Sequence, residues 1–259
     1  TGPGASGGTG DLYVVKIKSD DGSKSTGNTT CTDNAATTTT STWTKQLGTS
    51  SGDEGGGVTT DSSGNIYVTG YTEGGLDGNT ELGVWDIFLV KYNSSGTKQW
   101  TKQLGTSSSD QGNSVTTDSS GNIYVTGVTY NYLDGNTGIG GAGDIFLVKY
   151  NSSGTKQWTK QLGTTSGDEG RGVTTDSSGN IYVTGYTEGG LDGNTSSGGN
   201  DIILVKYNSS GTKQWTKQLG TSSSDEGRGV TTDSSGNIYV TGLSQGGLDG
   251  NTNSGGSSV

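Results

Sequence analysis

Short runs of alternating apolar and polar residues recur along the chain, separated by stretches rich in Gly, Ser, Asn and Asp. In NIYVTGY (Asn180 to Tyr186), Ile181 and Val183 are expected to point one way and Tyr182 and Thr184 the other, the period of two that marks a strand. DIILVKY (Asp201 to Tyr207) and TKQWTKQLG (Thr212 to Gly220) have the β-branched and aromatic content of strands, and GVTTD (Gly172 to Asp176) supplies a further short one. DSSG and NSSG lie between these runs. In both, an Asp or Asn can bond its own backbone and a Gly can take positive φ, so each predicts a hairpin turn. No segment carries a helical period.

These elements repeat. TTDSSGNIYVTG begins at Thr59, Thr116, Thr174 and Thr231, and WTKQLGT begins at Trp43, Trp100, Trp158 and Trp215, both with spacings of 57, 58 and 57. DIFLVKYNSSGTKQW starts at Asp86 and Asp144, DIILVKYNSSGTKQW at Asp201, and a divergent relative, DLYVVKIKSDDG, at Asp11. Each unit therefore predicts four antiparallel strands in a meander with apolar residues on both faces. Such a sheet cannot bury both faces alone, and stacking copies around an axis does so, which gives a β-propeller. A period near 57 exceeds the ~40–50 of common propeller repeats, and the extra length falls in the Gly-rich loop between the second and third strands.

DSSGNIYVTG, the Gly-rich loop after it, DIFLVKYNSSGTKQW and the DEG turn resemble the bacterial SBBP β-propeller repeat, over nearly the whole chain from Asp11. The resemblance implies a propeller of four-stranded antiparallel blades. It also implies an exported or surface-associated protein, because members of that family are mostly of this kind. The N-terminal copy, with its Thr-rich insertion, and the C-terminal tail depart from the pattern.

The whole chain, 1–259, is expected to be one propeller domain, with 18–42 a Thr-rich inserted loop and 249–259 a flexible tail. It opens with strands three and four of one unit (Leu12 to Ile17 and Trp43 to Leu47) and closes with strands one and two of another (Val230 to Asp233 and Ile238 to Leu243). The expected closure is four blades, the last made by pairing the N- and C-terminal half-blades. Exchange of half-blades between chains, or membership of a larger propeller, would satisfy the same edges. The first residue is Thr1, as in a processed or trimmed chain.

Composition narrows the chemistry. Hydrophobic residues make up 25% of the chain and 51 residues are Gly, which by itself warns of disorder. The periodic placing of the apolar residues argues against that. The net charge of −10 argues against nucleic acid, which requires clustered Lys and Arg, and no apolar run suits insertion in a membrane. There is no His to serve as base in a nucleophilic triad or as a Zn²⁺ ligand, and a lone Cys31 cannot build a Cys cluster. Carboxylate pairs such as Asp168–Glu169 recur in nearly every repeat, which points to architecture rather than to a unique active site. The chain is therefore expected not to be an enzyme.

Binding candidates fall on the end of the propeller that gathers the strand-two-to-three loops and the blade-to-blade segments such as Gly48 to Gly57. That end carries Asp53, Glu54, Asp77, Asp168, Glu169, Asp192, Asp225, Glu226 and Asp249. It also carries the residues that differ most between repeats, Trp85, Tyr130, Tyr132, Arg171 and Arg228, which are the candidate partner contacts. LDGNT occurs four times, and Asp77 with Asn79, Asp134 with Asn136, Asp192 with Asn194 and Asp249 with Asn251 are spaced like oxygen ligands for Ca²⁺. A plain turn explains the same residues, and the EF-hand pattern is missing. Trp100, Trp158 and Trp215 either stack sugars or pack between blades. N-x-S/T sequons stand at Asn28, Asn93, Asn151, Asn194 and Asn208, and three of them coincide with the NSSG turn. Cys31 could pair between chains.

Three functions follow as expectations. The first is a secreted or cell-surface, non-enzymatic scaffold that presents an acidic, variable loop face to a protein or glycan. The second is a subunit that self-associates into a filament or layer by half-blade exchange. The third is a carbohydrate-binding propeller.

Overall fold

The computed structural model describes residues 11–17, 41–137, 142–253 and 255. Cys31, Asn28 and nearly all of the Thr-rich insertion lie outside them. Ser41 and Thr42, read from sequence as the end of that insertion, already belong to a strand. Sixteen strands are described. β1 (Leu12–Ile17) and β2 (Ser41–Leu47) form a two-stranded sheet. Three four-stranded sheets follow, each in sequence order: β3 (Asp53–Thr60), β4 (Ile66–Thr72), β5 (Asp86–Tyr92) and β6 (Lys98–Leu104); β7 (Asp110–Thr117), β8 (Ile123–Thr129), β9 (Asp144–Tyr150) and β10 (Lys156–Leu162); β11 (Asp168–Thr175), β12 (Ile181–Thr187), β13 (Asp201–Tyr207) and β14 (Lys213–Leu219). A second two-stranded sheet, β15 (Asp225–Thr232) with β16 (Ile238–Ser244), ends the series. Within the sheets every described strand pair is antiparallel. The fold is all-β, in repeated four-stranded blades. The expected pairing of the two terminal halves into a fourth blade is not seen: each remains a separate sheet.

The core lies between blades. Tyr67, Ile87, Leu89 and Leu104 of the first full blade share one buried cluster with Val115, Ile123, Val125, Phe146 and Val148 of the second. The opposite face of the second blade repeats the arrangement with the third, and Leu12 and Val14 do so with the first blade's Ile66, Val68 and Phe88. Alternate residues of one strand thus serve two different interfaces, and for this reason β4 and β8 are buried along both faces. Each apolar side chain covered this way contributes about 1.5–3 kcal/mol. Trp100 and Trp158 on the outer strands rest against Gly154 and Gly211 in the next blade's NSSG turn, which is inter-blade packing.

The inner strand of every blade is bulged. In the first, Gly55 opposes Gly70 and Gly57 opposes Thr69, leaving Gly56 unpaired between them, and the shift recurs at Asn113, Arg171 and Arg228. The bulge drives a carbonyl into the neighbouring strand. A Cβ at Gly185 would overlap the carbonyl oxygen of Glu169, and one at Gly70 would overlap that of Glu54. Gly at this point is therefore a condition of the bulge.

The DSSG turns are held by their Asp. Asp176 Oδ1 accepts from the backbone N–H of Ser178 and Asn180, and Oδ2 accepts from Asn180 Nδ2 and the Tyr182 hydroxyl, at 2.7–2.9 Å. Partial burial opposes ionisation, but these donors outweigh it and hold the carboxyl below its ordinary value of 3.8.

Two outcomes are expected. Gly185→Ala should cost at least about 2 kcal/mol in urea unfolding, since backbone rather than a side-chain tip must move. Asp176→Ala should cost about 1–3 kcal/mol at pH 7. Because its folded-state pKa is depressed, the Asp176 contribution is present above the unfolded value and is lost as the pH falls through the folded one. The gap between wild type and variant should therefore shrink below pH 3.8.

Candidate functional site

The blade-to-blade segments and the strand-two-to-three loops meet at one end of the blades. Glu73 Oε2 accepts from the Gly52 N–H at 3.2 Å, and Val84 N–H and Asp110 N–H bond Ser108 and Trp85 carbonyls at 3.2 and 2.8 Å. The DEG segment is strand rather than loop. Its first residue, Asp53, Asp110, Asp168 or Asp225, is buried at the start of the inner strand, where the sequence had suggested exposed loop acids. The cause is a local cap. Asp168 Oδ2 accepts from the Thr164 N–H at 2.5 Å and the Thr164 hydroxyl at 2.9 Å, fixing the turn into the strand. Burial raises the Asp168 and Asp110 carboxyls above their ordinary value, against the lowering effect of hydrogen bonds from Thr187 and Thr164 in one and Thr129 and Thr106 in the other. Their contribution to stability is complete below the unfolded pKa and declines as the pH rises through the raised one.

A second buried acid closes the long loop. Asp86 Oδ2 accepts from Leu82 N–H and Gln103 Nε2, both at 2.8 Å, and Asp201 Oδ2 does the same with Ser197 and Gln218. Among the described residues, Oδ1 of Asp86, Asp144 and Asp201 has no hydrogen-bonding partner, and it faces the Gly that follows the outer strand. Sequence reasoning missed these roles, although both acids persist where their neighbours change: DQG at Asp110 against DEG elsewhere.

The variable residues divide into two groups. Arg171 and Arg228 occupy bulge positions on the inner strands, not loops. The Arg171 guanidinium pairs with Glu169 at 3.2 Å and with Glu226 of the next hairpin, and stacks over Tyr186 at 4.8 Å. Arg228 reaches the same Glu226 at 3.3 Å. Burial acts to lower the Arg171 pKa, but Glu169 and Glu226 outweigh it and hold the group firmly charged. Burial and then Glu169 push the Tyr186 hydroxyl up to about 12. Asn113, the bulge residue one blade earlier, donates to Glu169 and to the Gly170 carbonyl at 2.9 Å. Successive inner strands are thus cross-linked by polar side chains.

The second group sits at the rim. Trp85 stacks on Tyr71 with centroids 4.7 Å apart and donates to Glu73 at 3.1 Å, while the Tyr71 hydroxyl donates to Glu54 at 3.1 Å. Tyr130 and Tyr132 are exposed. Trp85 and the two Arg residues belong to separate networks.

LDGNT forms a one-turn 3₁₀ element with its Asp at positive φ, 54° at Asp77, a conformation that Asp tolerates. The Asp77 carboxylate accepts from Lys98 and Thr101, and Asp134 and Asp192 do the same with Lys156 and Thr159 and with Lys213 and Thr216. Asn79, Asn136, Asn194 and Asn251 each turn their amide back to the Leu carbonyl three residues earlier. The last copy, beginning at Leu248, holds Asp249 at positive φ as well, and its Leu is partly exposed. Among the described residues, no three acids, His or Cys converge as a metal group, and no helix is long and apolar enough to cross a membrane.

The repeat matches known sequences. Over 186 residues, 64% of this chain, it is 28% identical to the "Regulatory protein FlaEY" of Caulobacter vibrioides. Over 205 residues, again 64% of this chain, it is 28% identical to an uncharacterised WD repeat-containing protein of Acanthamoeba polyphaga mimivirus. The matches span 20% and 15% of those proteins, so the chain corresponds to a minor part of each. The family model for the SBBP β-propeller repeat matches at residues 42–77, 99–133, 157–192 and 214–249, together more than half of the sequence. The chain belongs to the SBBP β-propeller repeat family.

Proposed function

We propose that the chain is a non-enzymatic binding scaffold of the cell surface or extracellular space, which engages a protein through the loop end and the bulged inner strands. One observation carries this: the blades are near copies of one another, and the differences concentrate there. The four bulge residues are Gly56, Asn113, Arg171 and Arg228, and only the first full blade has Trp85 at its rim. A framework that repeats while one end varies is the arrangement expected of a presenting surface. A regulatory protein and a WD-repeat protein as relatives agree with a binding or scaffold role. The setting outside the cell rests on the habit of the repeat family.

The face mixes Glu54, Glu73, Glu169 and Glu226 with two Arg residues and the exposed rings of Tyr130 and Tyr132. Its complement is a protein segment with basic and aromatic side chains. Arg171 and Glu226 are already paired, so the rim aromatics would provide the anchors.

In affinity capture from the source cell's surface fraction, a specific partner band is expected. Trp85→Ala or the Tyr130→Ala/Tyr132→Ala pair should weaken it by about 2 kcal/mol, roughly thirtyfold. Substitutions in the DSSG turns at the opposite end should leave it unchanged. Equal loss from both ends would overturn the face, and saturable binding on a glycan array that Trp85→Ala abolishes would replace protein with carbohydrate. For Ca²⁺, a cation at LDGNT would have to displace Lys98, Lys156 and Lys213. Calorimetric titration is expected to show no saturable heat below millimolar concentration; a saturable signal lost in Asp134→Asn would assign the ion to that loop.

A further inference from the structure

The two terminal hairpins lie at opposite ends of a row of blades. β1–β2 packs on the first full blade through Leu12 and Val14, with Lys16 Nζ reaching the Ser94 carbonyl at 3.1 Å. The inner strands β3, β7, β11 and β15 follow one another side by side, and β15 does not pack against β3 as each does against its successor. Among the described residues, each end lacks the half-blade that the other end carries.

The gaps are specific. At the first end, Val58 is 64% exposed, whereas its counterparts Val115 and Val173 are 6% and 7% exposed. In the complete interface Val115 shares its cluster with Tyr67 of the preceding blade. The residue that would supply this role for Val58 is the counterpart of Tyr67 on an inner hairpin, and Tyr239 on β16 is such a residue, 54% exposed. A cavity of about 310 Å³ lined by Tyr13, Val15, Gly57, Val58 and Val68 marks the vacancy. At the last end, an opening of about 240 Å³ lined by Leu219, Val240, Leu243 and Leu248 lies where an outer hairpin belongs.

The two edges also match in register. In the intact blades Val68 opposes Val90 and Gly70 opposes Phe88, and Gly127 opposes Phe146 with the ring lying over the glycine. Carried to the ends, that register sets Val240 opposite Val15 and Gly242 opposite Tyr13. Tyr13 is 73% exposed, while Phe88 and Phe146 are wholly buried. Leu76, Leu133 and Leu191 N–H each donate to a Gln carbonyl on the outer strand, at 3.0 Å, and Gln46 on β2 stands at that position for Leu248.

We propose that β16 of one chain pairs with β1 of a second copy, completing a blade between chains and covering Val58 with the partner's inner hairpin. The contact is heterologous, head to tail. Two copies joined at both ends would form a ring of eight blades, inside the usual range of four to eight. This goes beyond the presenting face proposed above and does not depend on it.

Two measurements on the 259-residue chain test the pairing. Light scattering after size exclusion should give a mass twice 26.2 kDa. In a Cys31→Ser background, chains carrying Val15→Cys are mixed with chains carrying Val240→Cys under mild oxidation. A disulfide-linked heterodimer is expected, well above what either chain yields alone, because directly opposed strand residues have bridgeable Cβ separations. Larger masses with the same link also support pairing in trans. A 26.2 kDa species in which only the double variant links, within one chain, would overturn the proposal in favour of closure on itself. Absence of any link in either format would overturn it as well.

Discussion

A four-stranded sheet with apolar side chains on both faces must be covered on both, and the architecture follows from that requirement. Tyr67 and Ile66, adjacent in sequence, are buried in different interfaces, one with the following blade and one with the preceding hairpin. The hydrophobic content of 25% suffices because the buried apolar residues are gathered in the clusters between sheets. The same economy leaves both ends of the row with apolar faces uncovered.

Around that packing, buried polar groups do the local shaping. Asp53 and its equivalents cap the entry to the inner strand, Asp86 and its equivalents latch the long loop to Gln103 and its equivalents, and Asp61 and its equivalents close the hairpin with Asn, Ser and Tyr donors. Low hydrophobicity and strong local capping belong together here. A strand seven or eight residues long gains little from its own length, so its ends have to be fixed by specific bonds.

The blades were legible from sequence because alternation and turn residues both recur with one period. The strand boundaries are less so: composition marks GVTTD as the first strand, yet β11 begins four residues earlier at Asp168. The DEG run lacks apolar side chains, and its strand character comes from backbone pairing across a bulge, which no hydrophobic pattern records. Arg171 and Arg228 stand out in the sequence as variable, but for the same reason nothing there distinguishes their bulge positions from loop. The contacts of the LDGNT acids were hidden because Lys98 stands 21 residues from Asp77 and meets it only once β6 folds back beside the loop.

The Trp that rests on the neighbouring blade's turn has a geometric consequence. Trp43, Trp100 and Trp158 each abut a glycine, Gly96, Gly154 and Gly211, at the outer margin of the stack. That contact sets how closely the outer margin of one blade can approach the next. Since Gly96, Gly154 and Gly211 all have positive φ near 80° and no side chain of their own, the contact takes the same form at each of these three steps, so the spacing of neighbouring outer strands is a property of the repeat.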